Sequence, residues 1–175
     1  MKEQINKIMS IMETIEYGFK DSNGNNIYEL DGKFWNDMNS FYYLLLPEEL
    51  LEKKCGVCWD QVELERKLFN DSGIPCKTYF IYGNDRNRLP SHTFLVYEDG
   101  NSLFWFEHAW EKYRGIYEYD SLEKLFRDVK TKFISFNEGI TSNEVYLFEY
   151  NIPPVHIKCD DFYKFIETQK EIFID

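Results

Sequence analysis

The chain has few basic residues for its size, with 20 Lys and Arg against 31 Asp and Glu among 175 residues. Its formal net charge is therefore −11 at pH 7, and no basic stripe stands out in the sequence. Surfaces that bind nucleic acid or anionic membranes both need clustered positive charge. We therefore expect no nucleic-acid partner and no membrane partner, and we expect a soluble protein with a neutral or cationic ligand.

Long apolar runs are also absent, so the sequence predicts no transmembrane helix. The first residues, MKEQIN, mix charged and apolar side chains and do not resemble a signal peptide. Only four cysteines are present, and their spacing does not form the regular framework of a disulfide-linked domain. These features favour a reducing compartment, and we expect a cytoplasmic protein.

Aromatic residues, in contrast, are abundant at 18% of the chain, about twice the share of an ordinary protein. A small domain cannot bury all of these rings, so some either line a groove or lie scattered on the surface. With 43% hydrophobic residues the chain can form one core, and no linker or repeat divides it. We predict a single domain over residues 1–175, with an N-terminal helical and aromatic-rich segment (1–46), a core (47–150) and a C-terminal helix (151–175).

Hydrophobic periodicity predicts helices first and strands afterwards. The predicted helices cover residues 4–16, 47–54, 59–72 and 121–129, with a last helix that is capped by Asp160 or Asp161 and runs to Lys170. The predicted strands cover residues 27–30, 75–82, 91–98, 101–107, 114–119 and 144–150. The predicted fold class is therefore α+β, with helices packed on an antiparallel sheet.

The stretch KCGVCWD, residues 54–60, carries the most informative cysteine. Gly56 ends one helix, and Cys58 lies at the mouth of the next. A thiol there faces unpaired N–H groups and the positive end of the helix dipole, which both favour the nucleophilic thiolate. Along the same helix, the pattern predicts that Glu63, Glu65 and Lys67 face solvent.

A hairpin downstream supplies a histidine and an acid. Asp99-Gly100 is a strong signal for a two-residue turn, and such a turn would pair Phe94 with Trp105. The same register places His92 directly opposite Glu107, with Cβ atoms about 5 Å apart. Because both faces of the hairpin are apolar, we expect it to be covered on both sides, so these two polar residues need partners.

The three residues together suggest nucleophilic catalysis. Cys58 would be the nucleophile, His92 the general base and acid, and Glu107 the group that orients the imidazole. A turn one residue longer would bring His108 opposite His92 in place of Glu107, so His108 is the alternative third member. The Cys58 N–H is a natural oxyanion donor, and we look for a second donor among the tyrosines and tryptophans of residues 34–43.

This constellation resembles the transglutaminase-like branch of the papain-like thiol enzymes. The GVCWD stretch that opens a helix, the histidine that starts a strand and the acid that ends the next strand follow the Cys, His, Asp order of that family, over roughly residues 47–110. The resemblance implies a papain-like or transglutaminase-like core without metal or cofactor. It also implies a cysteine peptidase or acyltransferase that acts on a peptide or protein substrate. Two departures are the Glu at position 107 and the lack of a glutamine shortly before the cysteine.

Other interpretations of the same residues remain open. Cys55 and Cys58 form a C-x-x-C pair, but no βαβ unit surrounds it as a redox dithiol requires. Zinc needs a second ligand pair that the sequence does not offer. Trp59 is a candidate substrate contact, although a helix-face tryptophan also suits the core. Finally, the same fold could serve as a catalytically silent binding module for peptide or carbohydrate.

Overall fold

The structure, a computed structural model, describes residues 1–21, 23–28, 42–84 and 90–174. Its centre is a six-stranded sheet in which every neighbouring pair is antiparallel. In chain order the strands are β3 (Cys76–Gly83), β4 (Ser91–Asp99), β5 (Ser102–Glu107), β6 (Gly115–Tyr119), β7 (Val145–Tyr150) and β8 (Lys170–Ile172), and in space they run β6-β5-β4-β3-β7-β8. The predicted mixture of helices and an antiparallel sheet is therefore confirmed.

Among the described residues, five α-helices and one small strand pair accompany the sheet. The helices are α1 (Lys2–Met12), α2 (Pro47–Lys53), α3 (Cys58–Asp71), α4 (Leu122–Phe136) and α5 (Cys159–Glu167). Strands β1 (Glu16–Tyr17) and β2 (Cys55–Gly56) pair in parallel just before α3. Within the parts of the chain described by the structure, no helix combines the length and the apolar character needed to cross a bilayer.

Helices cover both faces of the sheet. Helix α4 packs its apolar stripe against one face, where Leu125 and Val129 share a core with Phe94 and Trp105. Helix α3 lies on the other face, where Phe69 contacts Phe106 with ring centroids 5.2 Å apart. The β4–β5 hairpin is thus covered on both sides, as its two apolar faces predict.

Helix α3 is buried nearly all round, which corrects one prediction. Glu63 and Glu65 were predicted to face solvent, but both are buried. The apolar residues of α1 and α5 pack against α3 from the sides that the sheet leaves open. A helix surrounded in this way has no solvent face over its first two turns, so its polar residues there need partners inside the protein.

The C-terminal region differs from the prediction in two details. Helix α5 begins at Cys159 after Lys158, so neither Asp160 nor Asp161 is its N-cap, and it ends at Glu167. The three residues of β8 then pair with β7 as an edge strand, which the sequence analysis missed. Of the strand predicted over residues 27–30, Ile27 and Tyr28 are not in a strand, and 29–30 lie outside the described residues.

The hairpin register is shifted by two residues from the predicted one. Asp99 pairs with Ser102 and Val96 pairs with Trp105, so the turn residues are Gly100 and Asn101. The predicted pairing of Phe94 with Trp105 is therefore wrong. Gly100 has φ +63° while Asn101 does not have a positive φ, a combination that fits a turn with glycine at its first central position.

Candidate active site

Cys58 is the first residue of α3, and its side chain is only 4% exposed. The residue two before it must be glycine, because a Cβ on Gly56 would lie 2.6 Å from Leu50 Cδ1 and 2.9 Å from Asp60 Cβ. This close approach lets α2, β2 and the start of α3 fold tightly together. The nucleophile candidate is thus held at the position predicted from the sequence.

Asp60 fixes the entrance of the helix. One carboxylate oxygen accepts from the Val57 N–H at 2.9 Å, and the other accepts from the Leu45 N–H at 2.8 Å and from the Tyr42 hydroxyl at 3.0 Å. Burial raises the pKa of Asp60 to about 7, although these three hydrogen bonds oppose the rise. A carboxylate near a helix N-terminus also interacts favourably with the dipole. Asp60 therefore ties the preceding segment to the turn that presents Cys58.

His92 and Glu107 form a buried pair, with His92 Nε2 2.7 Å from Glu107 Oε2. Two further donors hold the carboxylate. The Trp110 backbone N–H donates to Oε1 at 2.7 Å, and the Trp105 indole N–H donates to Oε2 at 3.2 Å. These donors hold both carboxylate oxygens in place. Glu107 is therefore fixed as an acceptor for the imidazole.

The pair meets despite the change in register. Continuing the β4–β5 register by one step places Phe94 opposite Glu107, so His92 and Glu107 are diagonal neighbours. A shift of two residues keeps every side chain on its own face of the sheet, and long side chains reach across a diagonal. The predicted contact between His92 and Glu107 is thus present, although the predicted pairing was wrong.

The His92 side chain also interacts with the Cys58 thiol, while its Nε2 faces Glu107. Burial lowers the pKa of His92, but the Glu107 carboxylate and the hydrogen bonds to Cys58 and Glu107 outweigh it and raise the pKa to about 10. At neutral pH the imidazole is therefore a cation between two groups that can carry negative charge. This is the environment that stabilises a thiolate.

Tyr17 is a member of the site that the sequence analysis missed. Strand β1 places it beside Gly56, and its hydroxyl lies close enough to Cys58 to interact with it. Burial raises the pKa of Tyr17, and negative charge on Cys58 raises it further. Tyr17 is distant from Cys58 in the sequence, and the β1–β2 pairing brings the two together. No local sequence pattern could therefore have indicated this contact.

The second donor predicted within residues 34–43 is not found in the described part of that range. Residues 34–41 lie outside the described residues. Tyr42 donates its hydroxyl to Asp60, and the Tyr43 ring contacts His156 at 4.8 Å between centroids. Tyr17 therefore stands nearer to Cys58 than either tyrosine whose contacts are described.

His108 does not join the pair, so the structure does not support it as the third member. It follows Glu107 directly and therefore faces the opposite side of the sheet, toward α3. Its Nδ1 lies 2.7 Å from Gln61 Oε1. Burial lowers the pKa of His108 to about 4, with a smaller effect from the Arg114 cation.

Trp59 belongs to the core and not to a substrate surface, which corrects the prediction of a substrate contact. Its ring stacks on Phe162 at 4.5 Å between centroids and contacts Tyr42 at 5.7 Å. The side chain is buried within the cluster that joins α3, α5 and the sheet. A ring enclosed on these sides has no free surface for a ligand.

A cleft of ≈ 760 Å³ opens over His92. Its aromatic walls come from distant parts of the chain, since Tyr17 contacts Tyr28 and Trp110 contacts Phe136. Its rim carries acidic and basic residues alike, namely Glu13, Glu16, Glu111, Lys112 and Arg114. Part of the aromatic excess in the sequence therefore lines a groove next to the candidate catalytic pair.

The remaining cysteines are free thiols. Burial raises the pKa of Cys55, Cys76 and Cys159 to about 11 in each case. In the described ranges, no three His, Cys, Asp or Glu side chains are grouped so that they could hold a metal ion. Cys58 is thus distinguished from the other three thiols by its imidazole neighbour.

No protein-family model matches the chain, and no curated protein matches its sequence. The resemblance to the transglutaminase-like enzymes therefore stays a prediction from the residues alone. The functional argument has to be made from the geometry of the site.

Proposed function

We propose that the protein is a thiol enzyme in which Cys58, His92 and Glu107 hydrolyse or transfer acyl groups at peptide or amide bonds. The observation that carries this proposal is the buried chain of contacts from Cys58 to His92 and from His92 Nε2 to Glu107 Oε2 at 2.7 Å. A nucleophile, a base within hydrogen-bonding reach and a third group that orients the base are the signature of covalent catalysis. The similarity to transglutaminase-like enzymes agrees with it.

The reaction follows from the protonation of the pair. The Cys58 thiolate attacks the carbonyl carbon, and the His92 imidazolium gives its proton to the departing nitrogen as the carbon–nitrogen bond breaks. An acyl group is then held on Cys58 as a thioester. Neutral His92 takes a proton from water, the resulting hydroxide displaces the sulfur, and thiolate and imidazolium are restored. An amine in the place of water would give transfer in place of hydrolysis.

Two donors are available for the oxyanion that forms on the carbonyl oxygen. The Cys58 N–H lies at the helix N-terminus, where it has no partner within the helix. The Tyr17 hydroxyl lies next to it and can donate to the same oxygen once an acyl group occupies the site. Tyr17 thus takes the role that the sequence left without a residue.

A binding module is the second candidate, and one observation favours it. Cys58 is only 4% exposed, and the Tyr17 hydroxyl lies close to it. A substrate has to displace that hydroxyl to reach the sulfur. A protein in which Tyr17 never moves would use its aromatic cleft for binding peptide or carbohydrate without reaction.

Detection of the acyl-enzyme separates these two candidates. A panel of peptide amides, glutamine donors with a primary amine and an acyl-CoA would be incubated with the protein, and intact mass would be recorded. We expect an added acyl mass that hydroxylamine removes and that Cys58→Ala abolishes, while Cys76→Ala, which alters a thiol distant from His92, retains it. The absence of any adduct across the panel would support the binding module.

A further inference from the structure

Three buried polar atoms lie unpaired behind the proposed reaction centre. They are Glu65 Oε2, Thr93 Oγ1 and His108 Nε2, and none of them makes a hydrogen bond to a protein atom. The side chains are at most 1% exposed. Most buried polar atoms in proteins have a partner, so three orphans in one region call for an explanation.

The three residues lie at the same interface between α3 and the sheet. Gln61 contacts His108, and Phe69 contacts Phe106, so Glu65, one turn from each, lies over the same stretch of β5. Extending the β4–β5 register places Thr93 opposite His108, on the face that α3 covers. Glu65 also lies close enough to His92 and Glu107, the chain neighbours of Thr93 and His108, to interact with their charges.

The hydrogen bonds of Gln61 decide the tautomer of His108. The Gln61 amide nitrogen donates to the Gly56 carbonyl at 2.9 Å, so its oxygen faces His108 Nδ1 at 2.7 Å and accepts a hydrogen bond from the Nδ1–H. The neutral imidazole therefore carries its proton on Nδ1 and presents a bare acceptor at Nε2. A buried acceptor of this kind requires a donor.

Glu65 differs from its buried neighbour Glu63 in its surroundings. Glu63 pairs with Arg66 at 3.1 Å and accepts from the Tyr150 hydroxyl at 3.1 Å. Glu65 has no Lys or Arg partner among its contacts in the described structure. The groups whose charges act on it are Glu107, His92, Cys58 and Glu63, of which only His92 is cationic. Burial raises the pKa of Glu65, and the Glu107 charge raises it further, so the carboxyl is disfavoured as an anion.

We propose that Glu65 is a positioning residue that stays a neutral carboxyl and, through one interior water shared with Thr93 and His108, locks α3 to strands β4 and β5 behind Cys58. Interior waters make about three hydrogen bonds to buried polar groups that lack other partners. The water donates a hydrogen bond to His108 Nε2 and accepts one from the Thr93 hydroxyl. Its third hydrogen bond is to the Glu65 carboxyl. From His108 the chain of hydrogen bonds continues through Gln61 to Gly56, the residue that shapes the turn before Cys58.

NMR of the protein with labelled Glu and His tests the protonation directly, and it does not depend on the proposed enzymatic function. With three histidines in the chain, the His108 signals are assigned by their loss in His108→Gln. We expect His108 to remain in the neutral Nδ1–H tautomer from pH 5 to 8, with its ring protons showing a cross-peak to a long-lived water. The Glu65 carboxyl carbon, identified with Glu65→Gln, should have the shift of a protonated acid at pH 7. An ionised Glu65, a titrating His108 or the lack of a bound water would overturn the proposal.

The pair Glu63 and Glu65 provides a matched comparison of variants. Glu65→Gln keeps a neutral polar group at the water site, so we expect the urea midpoint and the His108 nitrogen shifts to stay close to wild type. Glu63→Gln removes the anion that Arg66 needs and should lower the midpoint clearly. Glu65→Leu should move the His108 Nε2 resonance toward its unbonded position, and Glu65→Gln should restore it. Equal loss of stability in Glu63→Gln and Glu65→Gln would contradict a neutral Glu65.

Discussion

Two histidines lie near the same end of the β4–β5 hairpin, on opposite faces of the sheet, and both are buried. His92 faces a carboxylate, and although burial lowers its pKa, Glu107 and the hydrogen bonds to Cys58 and Glu107 raise it to about 10. His108 faces the amide of Gln61, and burial lowers its pKa to about 4. Two buried histidines thus have opposite protonation, because only one of the two has an anionic partner.

This contrast separates a reactive histidine from a structural one. A cationic His92 next to Cys58 supports a thiolate and supplies a proton to a leaving group. A neutral His108 can only hold hydrogen bonds, as its Nδ1 does with Gln61. The chemistry of the partner, and not the depth of burial, assigns the two roles.

The largest expected effect comes from the reactive side of the comparison. Cys58→Ala or His92→Ala should each reduce turnover of any substrate found by a factor on the order of 10⁶, and the double variant should lose little more. Members of one catalytic unit are non-additive because the first substitution already removes the mechanism. Steady-state kinetics of the three variants measure this. Losses that multiply in the double variant would mean that the residues act independently.

Removal of the anionic partner should make His92 more like His108. Glu107→Gln should cost less than Cys58→Ala, at most about 10⁴ in kcat, because the acid orients the ring and does not form the bond. Without the carboxylate the His92 pKa falls from about 10, so the alkaline limb of the rate profile should move to lower pH. A profile that keeps its alkaline limb would contradict the role of Glu107.

The same pair predicts how stability depends on pH. The folded pKa of His92 lies above its ordinary value near 6.5. His92 therefore contributes to the free energy of unfolding below about pH 6.5, and this contribution is lost as the pH rises through about 10. We expect wild type to lose stability along this alkaline range and Glu107→Gln to show a flatter dependence. Urea unfolding at several pH values measures both curves. If the stabilities of wild type and Glu107→Gln changed with pH in the same way, electrostatic coupling between His92 and Glu107 would be ruled out.

His108 should give the opposite and smaller signal on the acid side. Its folded pKa lies below the ordinary value. His108 therefore contributes to the free energy of unfolding above about pH 6.5, and this contribution is lost as the pH falls toward 4. The difference in unfolding free energy is on the order of 3 kcal/mol across that window. His108→Gln, which can keep the bond to Gln61, should flatten the acid slope relative to wild type. An unchanged slope would show that His108 titrates normally.

The periodic parts of the fold were predictable from the sequence, and the edges were not. Helix α4 begins after Ser121, whose hydroxyl accepts from the Lys124 N–H as an N-cap should, and it continues to Phe136, beyond the predicted end at Val129. Strands β3 to β7 lie close to where runs of apolar and aromatic residues predicted them. Strand β8 was missed because its three residues carry too little pattern and depend on pairing with β7.

The candidate site was predictable where local rules apply. Cys58 at a helix start, and a histidine and an acid near one end of a hairpin, can each be recognised from neighbouring residues. The contact of Tyr17 with Cys58, the bond between Gln61 and His108 and the burial of Glu65 depend on which distant segments pack on α3. Those residues look like ordinary polar positions in the sequence, so only the three-dimensional structure reveals them.

The reactivity order of the four cysteines tests the central claim most directly. By exposure alone, half-buried Cys76 and Cys159 should react with iodoacetamide before the more deeply buried Cys55 and Cys58. If His92 holds Cys58 as a thiolate, mass-spectrometric mapping near neutral pH should find Cys58 alkylated first and His92→Ala should abolish that preference. Labelling of Cys76 and Cys159 first, with Cys58 reacting only after denaturation, would contradict the account.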